Sequence, residues 1–237
     1  MKAFLLAAGH GTRLRPLTDA MPKCLVPIRG VPLLQIWLDL CRSHHIDQIL
    51  INVHAHSDII CSFLREHCND DLKVTVSEEK VLLGSAGTLL ANRNWLDSDP
   101  FFWVFYADVL TTANLSSLQN ILERNTTHLA SLGVYEVADP RRCGIVTLDE
   151  EGTIRDFVEK PEKPTGRLAF SGLMIARRQV LDHIPDEGLA DIGFHVLPKL
   201  IGRMSGVPIT DFLLDIGTME NYQLAQETWP GVQSLSS

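Results

Sequence analysis

Apolar runs and amphipathic stretches alternate along the first half of the chain. Apolar residues recur with helical spacing over 33–41, 59–64 and 115–122, where they fall at i, i+3, i+4 and i+7 or at similar steps. Between and after these helices, short apolar or alternating runs predict strands. The predicted strands span Ala3–Ala8, Gln48–Val53, Lys73–Ser77, Phe101–Tyr106, Leu129–Glu136, Ile145–Leu148, Ile154–Glu159, Leu168–Ala176 and Ile209–Leu214. Alternating strands and helices predict an α/β fold, Rossmann-like, with a mostly parallel mixed sheet flanked by helices.

The second half has a different pattern, with short strands close together. Asp149-Glu150-Glu151-Gly152 separates two of them and predicts a hairpin turn. We therefore expect a small β-rich lobe here. The chain shows no linker and no internal repeat, which predicts one domain over 1–237, and the missing hexapeptide repeat predicts no C-terminal β-helix.

Composition and charge narrow the class of protein. Hydrophobic residues make up 45% of the 237 residues, and the formal net charge is −8. A hydrophobic fraction of this size is typical of globular proteins, and the negative charge argues against a nucleic-acid-binding surface. The five cysteines are odd in number and contain no CxxC pair, which predicts reduced thiols and a cytoplasmic location. No run approaches the ~20 apolar residues of a membrane helix, so no membrane partner is expected.

The first predicted strand ends at a loop suited to phosphate. Gly9 and Gly11 allow a sharp turn with exposed backbone N–H groups, and Arg13 and Lys23 add positive charge. Leu14 occupies the third glycine position of a dinucleotide-binding G-x-G-x-x-G fingerprint, which disfavours a dinucleotide-dependent dehydrogenase. The G-K-[ST] string of a Walker loop is also missing at the required spacing.

Two aspartates follow apolar strands in the manner of metal ligands. Asp108 comes after Phe101–Tyr106, and Asp215 comes after Phe212-Leu213-Leu214. Carboxylates at the ends of buried strands point into the crevice where hard cations bind oxygen ligands. The alternative for each is a turn cap or helix cap.

The motifs together resemble the signature of the sugar-1-phosphate nucleotidylyltransferases. The string from Gly9 to Thr18 has the form G-x-G-T-R-L-x-P-L-T and is followed by Pro22-Lys23. The segments Gly84-Ser85-Ala86-Gly87, Glu159-Lys160-Pro161 and Asp215-Ile216-Gly217-Thr218 come in the order seen in that family. The resemblance implies transfer of a nucleoside monophosphate from a nucleoside triphosphate to a sugar 1-phosphate. Pyrophosphate leaves by direct in-line attack, without a covalent enzyme intermediate.

The resemblance also assigns roles to residues of this chain. It makes Arg13 and Lys23 catalytic, and it makes Asp108 and Asp215 ligands of a Mg²⁺ cofactor. The implied nucleotide-binding residues are Leu6, Ala8, Gly9, Gly11, Thr12, Gly84, Ala86 and Gly87. The implied sugar-phosphate-binding residues are Gly144, Glu159, Lys160, Ser171 and Gly172. Residues 1–136 would mainly bind nucleotide and 137–215 sugar phosphate, with a C-terminal helix and tail over 216–237.

Two departures from the family pattern leave the substrates open. Ala107 stands where the family usually has glycine, and Ser171 stands where many relatives have the asparagine that touches the sugar. The length and the G-S-A-G segment are closest to the mannose-1-phosphate guanylyltransferase-like and muramic-acid-phosphate uridylyltransferase-like branches. They favour GTP and a mannose-like or heptose-like sugar 1-phosphate.

Other functions stay open at this point. One is a cytidylyltransferase or uridylyltransferase that acts on another phosphorylated acceptor. A second, of a different class, is a catalytically idle regulator that binds a nucleotide sugar. The oligomeric state is also open, with a homodimer as one alternative.

Overall fold

A computed structural model describes residues 1–68, 71–97, 99–186 and 188–231. The strands and α-helices, in chain order, are β1 (Lys2–Leu6), β2 (Pro27–Ile28), β3 (Val31–Pro32), α1 (Leu33–Ser43), β4 (Gln48–Val53), α2 (Ser57–His67), β5 (Lys73–Glu78), α3 (Gly84–Ala91), β6 (Phe101–Tyr106), β7 (Val109–Thr111), α4 (Ser116–Arg124), β8 (Ala130–Glu136), β9 (Gly144–Leu148), β10 (Ile154–Glu159), β11 (Leu168–Arg177), β12 (Met204–Pro208), β13 (Leu213–Asp215) and α5 (Met219–Thr228). The predicted C-terminal helix is α5, and the part of the predicted tail over 232–237 lies outside the described residues.

One predicted strand is wrong. The segment Ile209–Leu214 does not form a single strand, because β12 ends at Pro208 and β13 begins only at Leu213. Proline lacks the N–H that a ladder needs, and the chain changes pairing partner after it. β12 pairs with β8, whereas β13 pairs with β7.

The chain divides into two compact units. The first contains Met1–Leu82, Phe105–Ala113 and the described residues from Asp211 onward. The second contains Leu83–Val104 and Asn114–Thr210. The functional division at residue 136 stays a prediction.

The first unit is built on parallel strands. β1 pairs with β4, and β4 pairs with β5, both in parallel. β1 ends at Leu6 because the next amide, Ala7 N–H, donates to the Asn52 side chain at 2.7 Å instead of continuing the ladder. The core of this unit includes Trp37 of α1, whose ring stacks on Phe105 with centroids 4.9 Å apart.

The second unit is mainly antiparallel. β9 and β10 form the predicted hairpin, in which Asp149 accepts from the backbone N–H groups of Glu151 and Thr153. β8 pairs antiparallel with β11 and parallel with β12. The two units together confirm the predicted fold class, a mixed α/β fold with a mostly parallel sheet flanked by helices.

Two further observations concern the whole described chain. All five cysteines are free thiols, and burial raises the pKa of Cys24 and of Cys41 to about 12. Within the described residues, we find no helix with the length and hydropathy needed to cross a bilayer.

Candidate active site

The glycine loop of the first unit folds back onto its own lysine. Gly11 has φ +63°, a left-handed conformation that favours glycine, and Thr18 Oγ1 donates to its carbonyl oxygen at 2.8 Å. A Cβ at Gly11 would lie only 3.1 Å from Lys23 Cβ. The loop is therefore closed tightly over the stem of Lys23. Leu14, which replaces the third glycine of a dinucleotide fingerprint, is fully buried as an anchor of this loop.

Lys23 forms an ion pair with the first of the two aspartates. Its Nζ donates to Asp108 Oδ2 at 2.6 Å, and the two side chains are 12% and 31% exposed. Asp108 is held there by the end of β1, since Ala107 N–H donates to the Leu6 carbonyl oxygen at 3.0 Å. The predicted residues Leu6, Gly11, Lys23 and Asp108 are thus brought to one place.

A two-stranded ribbon brings the second aspartate to the first. β7 and β13 pair antiparallel, with Asp215 opposite Val109, and Ile216 N–H donates to the Asp108 carbonyl oxygen at 2.7 Å. After the ribbon, Thr218 caps α5, and Asn221 Nδ2 donates to the Asp215 carbonyl oxygen at 2.7 Å. Residues far apart in sequence are fixed together by backbone pairing.

The pKa of the Asp215 carboxyl is shifted by its neighbours in this cluster. Burial raises its pKa above the ordinary value, and the neighbouring charge of Asp108 raises it further. Lys23 and Arg13 act in the opposite direction. A Cβ on Gly217 would collide with the Asp215 carboxylate and lie 3.0 Å from Arg13 Nη2. Two carboxylates and two cations therefore form one cluster, and the backbone of Gly217 packs against it.

This cluster has the chemistry of a site for a hard cation and phosphate. Two like-charged carboxylates in a partly buried place are stabilised by a divalent ion, and oxygen is the ligand that Mg²⁺ prefers. Among the described residues, no group of three or more His, Cys, Asp and Glu side chains could hold a metal. Mg²⁺ commonly uses one or two carboxylates together with substrate phosphates and water, so the pair Asp108 and Asp215 fits it.

The other cations near the loop have different partners. Arg29 Nε and Nη2 donate to the carbonyl oxygens of Gln226 and Glu227 at 2.9 and 2.6 Å, which caps the C-terminal end of α5. Arg15 pairs with Asp19 at 3.1 Å, and both side chains are more than half exposed. Neither cation contacts the aspartate cluster through these bonds.

In the second unit, the start of α3 is closed by a neighbouring carbonyl. Gly84 has φ +78°, and a Cβ there would collide with Ala190 O. The same oxygen accepts from Ala86 N–H at 3.0 Å and Gly87 N–H at 3.1 Å. The glycine at position 84 is therefore required by a backbone contact, whereas Ala86 and Gly87 contribute only their backbone N–H groups to it. Their predicted role in nucleotide binding stays a prediction.

The predicted sugar-phosphate residues Gly144, Glu159 and Lys160 are together. Glu159 faces Gly144 across the hairpin, and a Cβ at Gly144 would lie 2.6 Å from Glu159 Oε2. Lys160 has φ +47° and its Nζ is 3.6 Å from Glu159 Oε1. Burial raises the pKa of Glu159, Lys160 lowers it and Asp191 raises it. The result is a carboxylate packed against backbone, with an ammonium beside it.

Ser171 and Gly172 lie at an irregularity of β11. The register of β11 with β8 shifts between Phe170 and Met174, and Gly172 has φ +82°. Ser171 is 3% exposed, and its hydroxyl oxygen accepts from Leu173 N–H at 3.3 Å. The hydroxyl is thus used to hold the bulge. Its predicted contact with a sugar stays a prediction.

Sequence reasoning missed Asp191 and its contacts. Asp191 Oδ1 accepts from Gly193 N–H at 2.8 Å, and its Oδ2 accepts from Ser85 Oγ at 2.9 Å. The signal available was an Asp two residues before a Gly, which is typical of an Asx turn or an N-cap. The sequence around His195 predicts a helix, and the structure has a helical turn over Ile192–Val196, but the contacts of Asp191 were not predicted.

Comparison with known proteins gives the same class throughout. The sequence model of the Nucleotidyl transferase family matches residues 2–229. The chain is 31% identical over 94% of its length to mannose-1-phosphate guanylyltransferase 1 of Arabidopsis thaliana, and covers 63% of that protein. It is 32% identical over 100% of its length to UTP–glucose-1-phosphate uridylyltransferase of Synechocystis, and covers 64% of it. The chain thus spans less than two thirds of these relatives.

Solved structures confirm the fold. A protein of Bacillus anthracis, solved with sucrose and assigned as a candidate glucose-1-phosphate thymidylyltransferase, superposes with a TM-score of 0.86 at 20% identity. The match covers 98% of this chain and 96% of the other.

Proposed function

Since this chain belongs to the nucleotidyl transferase family, we propose that it transfers a nucleoside monophosphate from a nucleoside triphosphate to a sugar 1-phosphate. The observation that carries the proposal is the cluster of Arg13, Lys23, Asp108 and Asp215 in the first unit. An oxygen of the sugar phosphate attacks the α-phosphorus, the bond to the β-phosphate oxygen breaks, and pyrophosphate leaves. No covalent bond to the protein is formed.

Lys23 and Arg13 supply positive charge where this reaction develops negative charge. Lys23 is oriented by Asp108 at 2.6 Å and by the closed glycine loop, so its ammonium is in a fixed position before substrate binds. Fixed charges stabilise a phosphoryl-transfer transition state without reorganisation, which is the largest contribution that such sites make. Arg13 lies beside Asp215 and would neutralise the triphosphate. Leu6, Ala8, Gly9, Gly11 and Thr12 would offer the backbone of the loop to the nucleotide.

Asp108 and Asp215 would hold Mg²⁺. When bound, the ion supplies Lewis-acid charge stabilisation on phosphate oxygens. The two carboxylates provide the hard oxygen ligands, and their mutual repulsion favours a cation at that place.

Glu159 and Lys160 of the second unit would bind the acceptor. Lys160 carries the charge that a phosphate monoester needs, and Glu159 is an acceptor for sugar hydroxyls. The carboxylate is held rigid between the backbones of Gly144 and Gly193. Ser171 and Gly172 complete the proposed sugar-phosphate residues, and Gly84, Ala86 and Gly87 complete those for the nucleotide base.

For the substrates, we propose GTP with a mannose-like or heptose-like sugar 1-phosphate. The match to the Arabidopsis guanylyltransferase supports this pair. The match of similar identity to the Synechocystis uridylyltransferase supports UTP with glucose 1-phosphate as the second candidate.

The test is pyrophosphate release from the purified protein with Mg²⁺. The five common nucleoside triphosphates are each crossed with mannose, glucose and heptose 1-phosphates, with Lys23→Ala as the inactive control. Release with one pair, absent from the control, supports the proposal and names the substrates. Triphosphate binding without release from any pair contradicts it and points to another phosphorylated acceptor or to the idle regulator.

A further inference from the structure

The segment Ala190–Phe194 of the second unit contacts both the start of α3 and the buried Glu159. Ala190 N–H donates to Leu83 O at 3.0 Å, while Ala190 O accepts from Ala86 and Gly87. Three residues later, a Cβ at Gly193 would lie 2.7 Å from Glu159 Cδ. One five-residue segment is therefore in van der Waals contact with two sets of residues that have different proposed substrates.

The side chain of Asp191 holds this segment in shape. Its carboxylate accepts from Gly193 N–H at 2.8 Å and Phe194 N–H at 3.2 Å, so it fixes the turn that presses Gly193 on Glu159. The other carboxylate oxygen accepts from Ser85 Oγ at 2.9 Å, and the same hydroxyl accepts from Ile192 N–H at 2.8 Å. Ser85 lies between Gly84 and Ala86, at the first turn of α3.

From these contacts, we propose that Asp191 is a positioning residue that ties the proposed nucleotide-binding start of α3 to the sugar-binding carboxylate of Glu159. Asp191 acts through Ser85 on one side and through Gly193 on the other. The inference rests on the proposed function, because the two substrates are those of that reaction. Its consequence is that loss of Ser85, a residue of the nucleotide segment, impairs binding of the sugar phosphate.

Phe194, the last residue of the segment, also lies beside Lys160. Phe194 is 52% exposed, and Lys160 Nζ lies 5.5 Å from its ring centroid. A cation over an aromatic face is attracted to it, so the turn set by Asp191 also helps to place the ammonium proposed to bind phosphate. Both proposed acceptor-binding side chains, Glu159 and Lys160, thus pack against the segment that Asp191 shapes.

The kinetic test uses Ser85→Ala and Asp191→Asn with both substrates varied. We expect each change to raise KM about tenfold for the nucleotide and for the sugar phosphate, with kcat at saturation within about threefold of the original. Ser85→Thr keeps the hydroxyl and should restore the KM for sugar phosphate. The double variant should be no worse than the worse single variant, because both remove the same link.

Asp139→Asn is the matched control. Asp139 also lies in the second unit and accepts from the N–H at the second residue after it, Arg141, but it has no bond to α3 or Glu159. It should leave both KM values unchanged. A Ser85→Ala protein with unaltered sugar-phosphate KM, or one that loses kcat alone, overturns the inference.

Hydrogen exchange keeps this test separate from the proposed function. Ser85→Ala removes the acceptor of Ile192 N–H, so amides 192–194 should exchange about tenfold faster in the ligand-free protein. If the original protein turns over no substrate pair, the proposed function fails, and exchange still decides whether the link exists. Unchanged exchange at 192–194 overturns the inference whatever the activity.

Discussion

The two carboxylate sites of this protein are built in different ways. In the first unit, Asp108 and Asp215 share a cluster with two cations, and Lys23 approaches Asp108 to 2.6 Å. In the second unit, the Glu159 carboxylate packs between two glycine backbones, its lysine is 3.6 Å away and 56% exposed, and the charge of Asp191 raises its pKa.

The difference shows which chemistry each site suits. Paired carboxylates with fixed cations match a reaction centre, where charge must be neutralised in the transition state. A single rigid carboxylate with a solvated ammonium matches recognition of hydroxyls and a monoester in the ground state. We therefore expect changes in the first cluster to act on kcat and changes in the second to act on KM.

Lys23→Ala should give the largest effect and sharpens the comparison most. It removes a preorganised charge, so kcat should fall by roughly 10²- to 10³-fold. Lys160→Ala should instead raise the KM for sugar phosphate, with a smaller change in kcat. Steady-state pyrophosphate release measures both, and the exposed Lys163→Ala serves as control. Equal effects of Lys23→Ala and Lys160→Ala on kcat would break the comparison.

Asp215→Asn should lower activity about 10²-fold and raise the Mg²⁺ concentration needed for half-maximal rate. The same change should stabilise the metal-free fold. The pKa of Asp215 is raised in the folded protein, so the folded state binds protons more tightly than the unfolded chain, and the ionised carboxylate is unfavourable at neutral pH. Thermal unfolding with a chelator tests this, and the stabilisation should vanish as the pH falls below the ordinary aspartate value. A variant with a normal Mg²⁺ titration contradicts the assignment.

Glu159→Gln should raise the KM for sugar phosphate about tenfold, from loss of a charged acceptor. In the original protein the pKa of Glu159 is raised. Its KM for sugar phosphate should therefore increase on acidification at a pH above the one at which an ordinary glutamate is protonated. Asp191→Asn removes one cause of that raised pKa, so the acid-side rise in KM should move to lower pH. The measurement is the KM for sugar phosphate as a function of pH. A rise in KM on acidification that persists in Glu159→Gln comes from the titration of another group.

Arg29→Ala should have the smallest effect, and it tests a cation that lies outside the aspartate cluster. Arg29 is a cation close in sequence to Lys23, but it donates to the carbonyl oxygens at the end of α5 and not to Asp108 or Asp215. We expect a loss of about 0.5–1 kcal/mol in the free energy of unfolding, with kcat and KM unchanged. Urea unfolding monitored alongside activity checks this, and a fall in kcat of the folded variant would place Arg29 in the reaction.

Sequence patterns predicted the regular parts of the fold well. Gln48–Val53 and Phe101–Tyr106 have the predicted bounds, because a buried strand in an α/β fold is rich in apolar residues and only Gln48 and Asn52 interrupt the pattern in the first. The three-residue strands β7 and β13 are too short to show a period, so the ribbon that joins Asp108 to Asp215 was not predicted. The two aspartates and their pairing as Mg²⁺ ligands were inferred from motif and position, whereas the backbone pairing that brings them together was not predicted.

The site shows the same limit. A motif identifies Glu159-Lys160, but it does not show that Gly193 packs on the carboxylate. Ser85 was seen as part of a helix start, whereas its hydroxyl is bonded to a residue more than a hundred positions later in the chain. Contacts of this kind depend on tertiary packing and leave no periodic trace in the sequence.

The pairing of β7 with β13 has a consequence for the protein during synthesis. Lys23 and Asp108 are translated early, whereas Asp215 follows Asp108 by about a hundred residues. At ~5–20 residues/s, the ribosome needs roughly 5 to 20 s to add this stretch. Until then the nascent chain carries the glycine loop and one aspartate without the second. An unfinished chain therefore cannot assemble both carboxylates, and the cluster is completed only when β13 has left the ribosome.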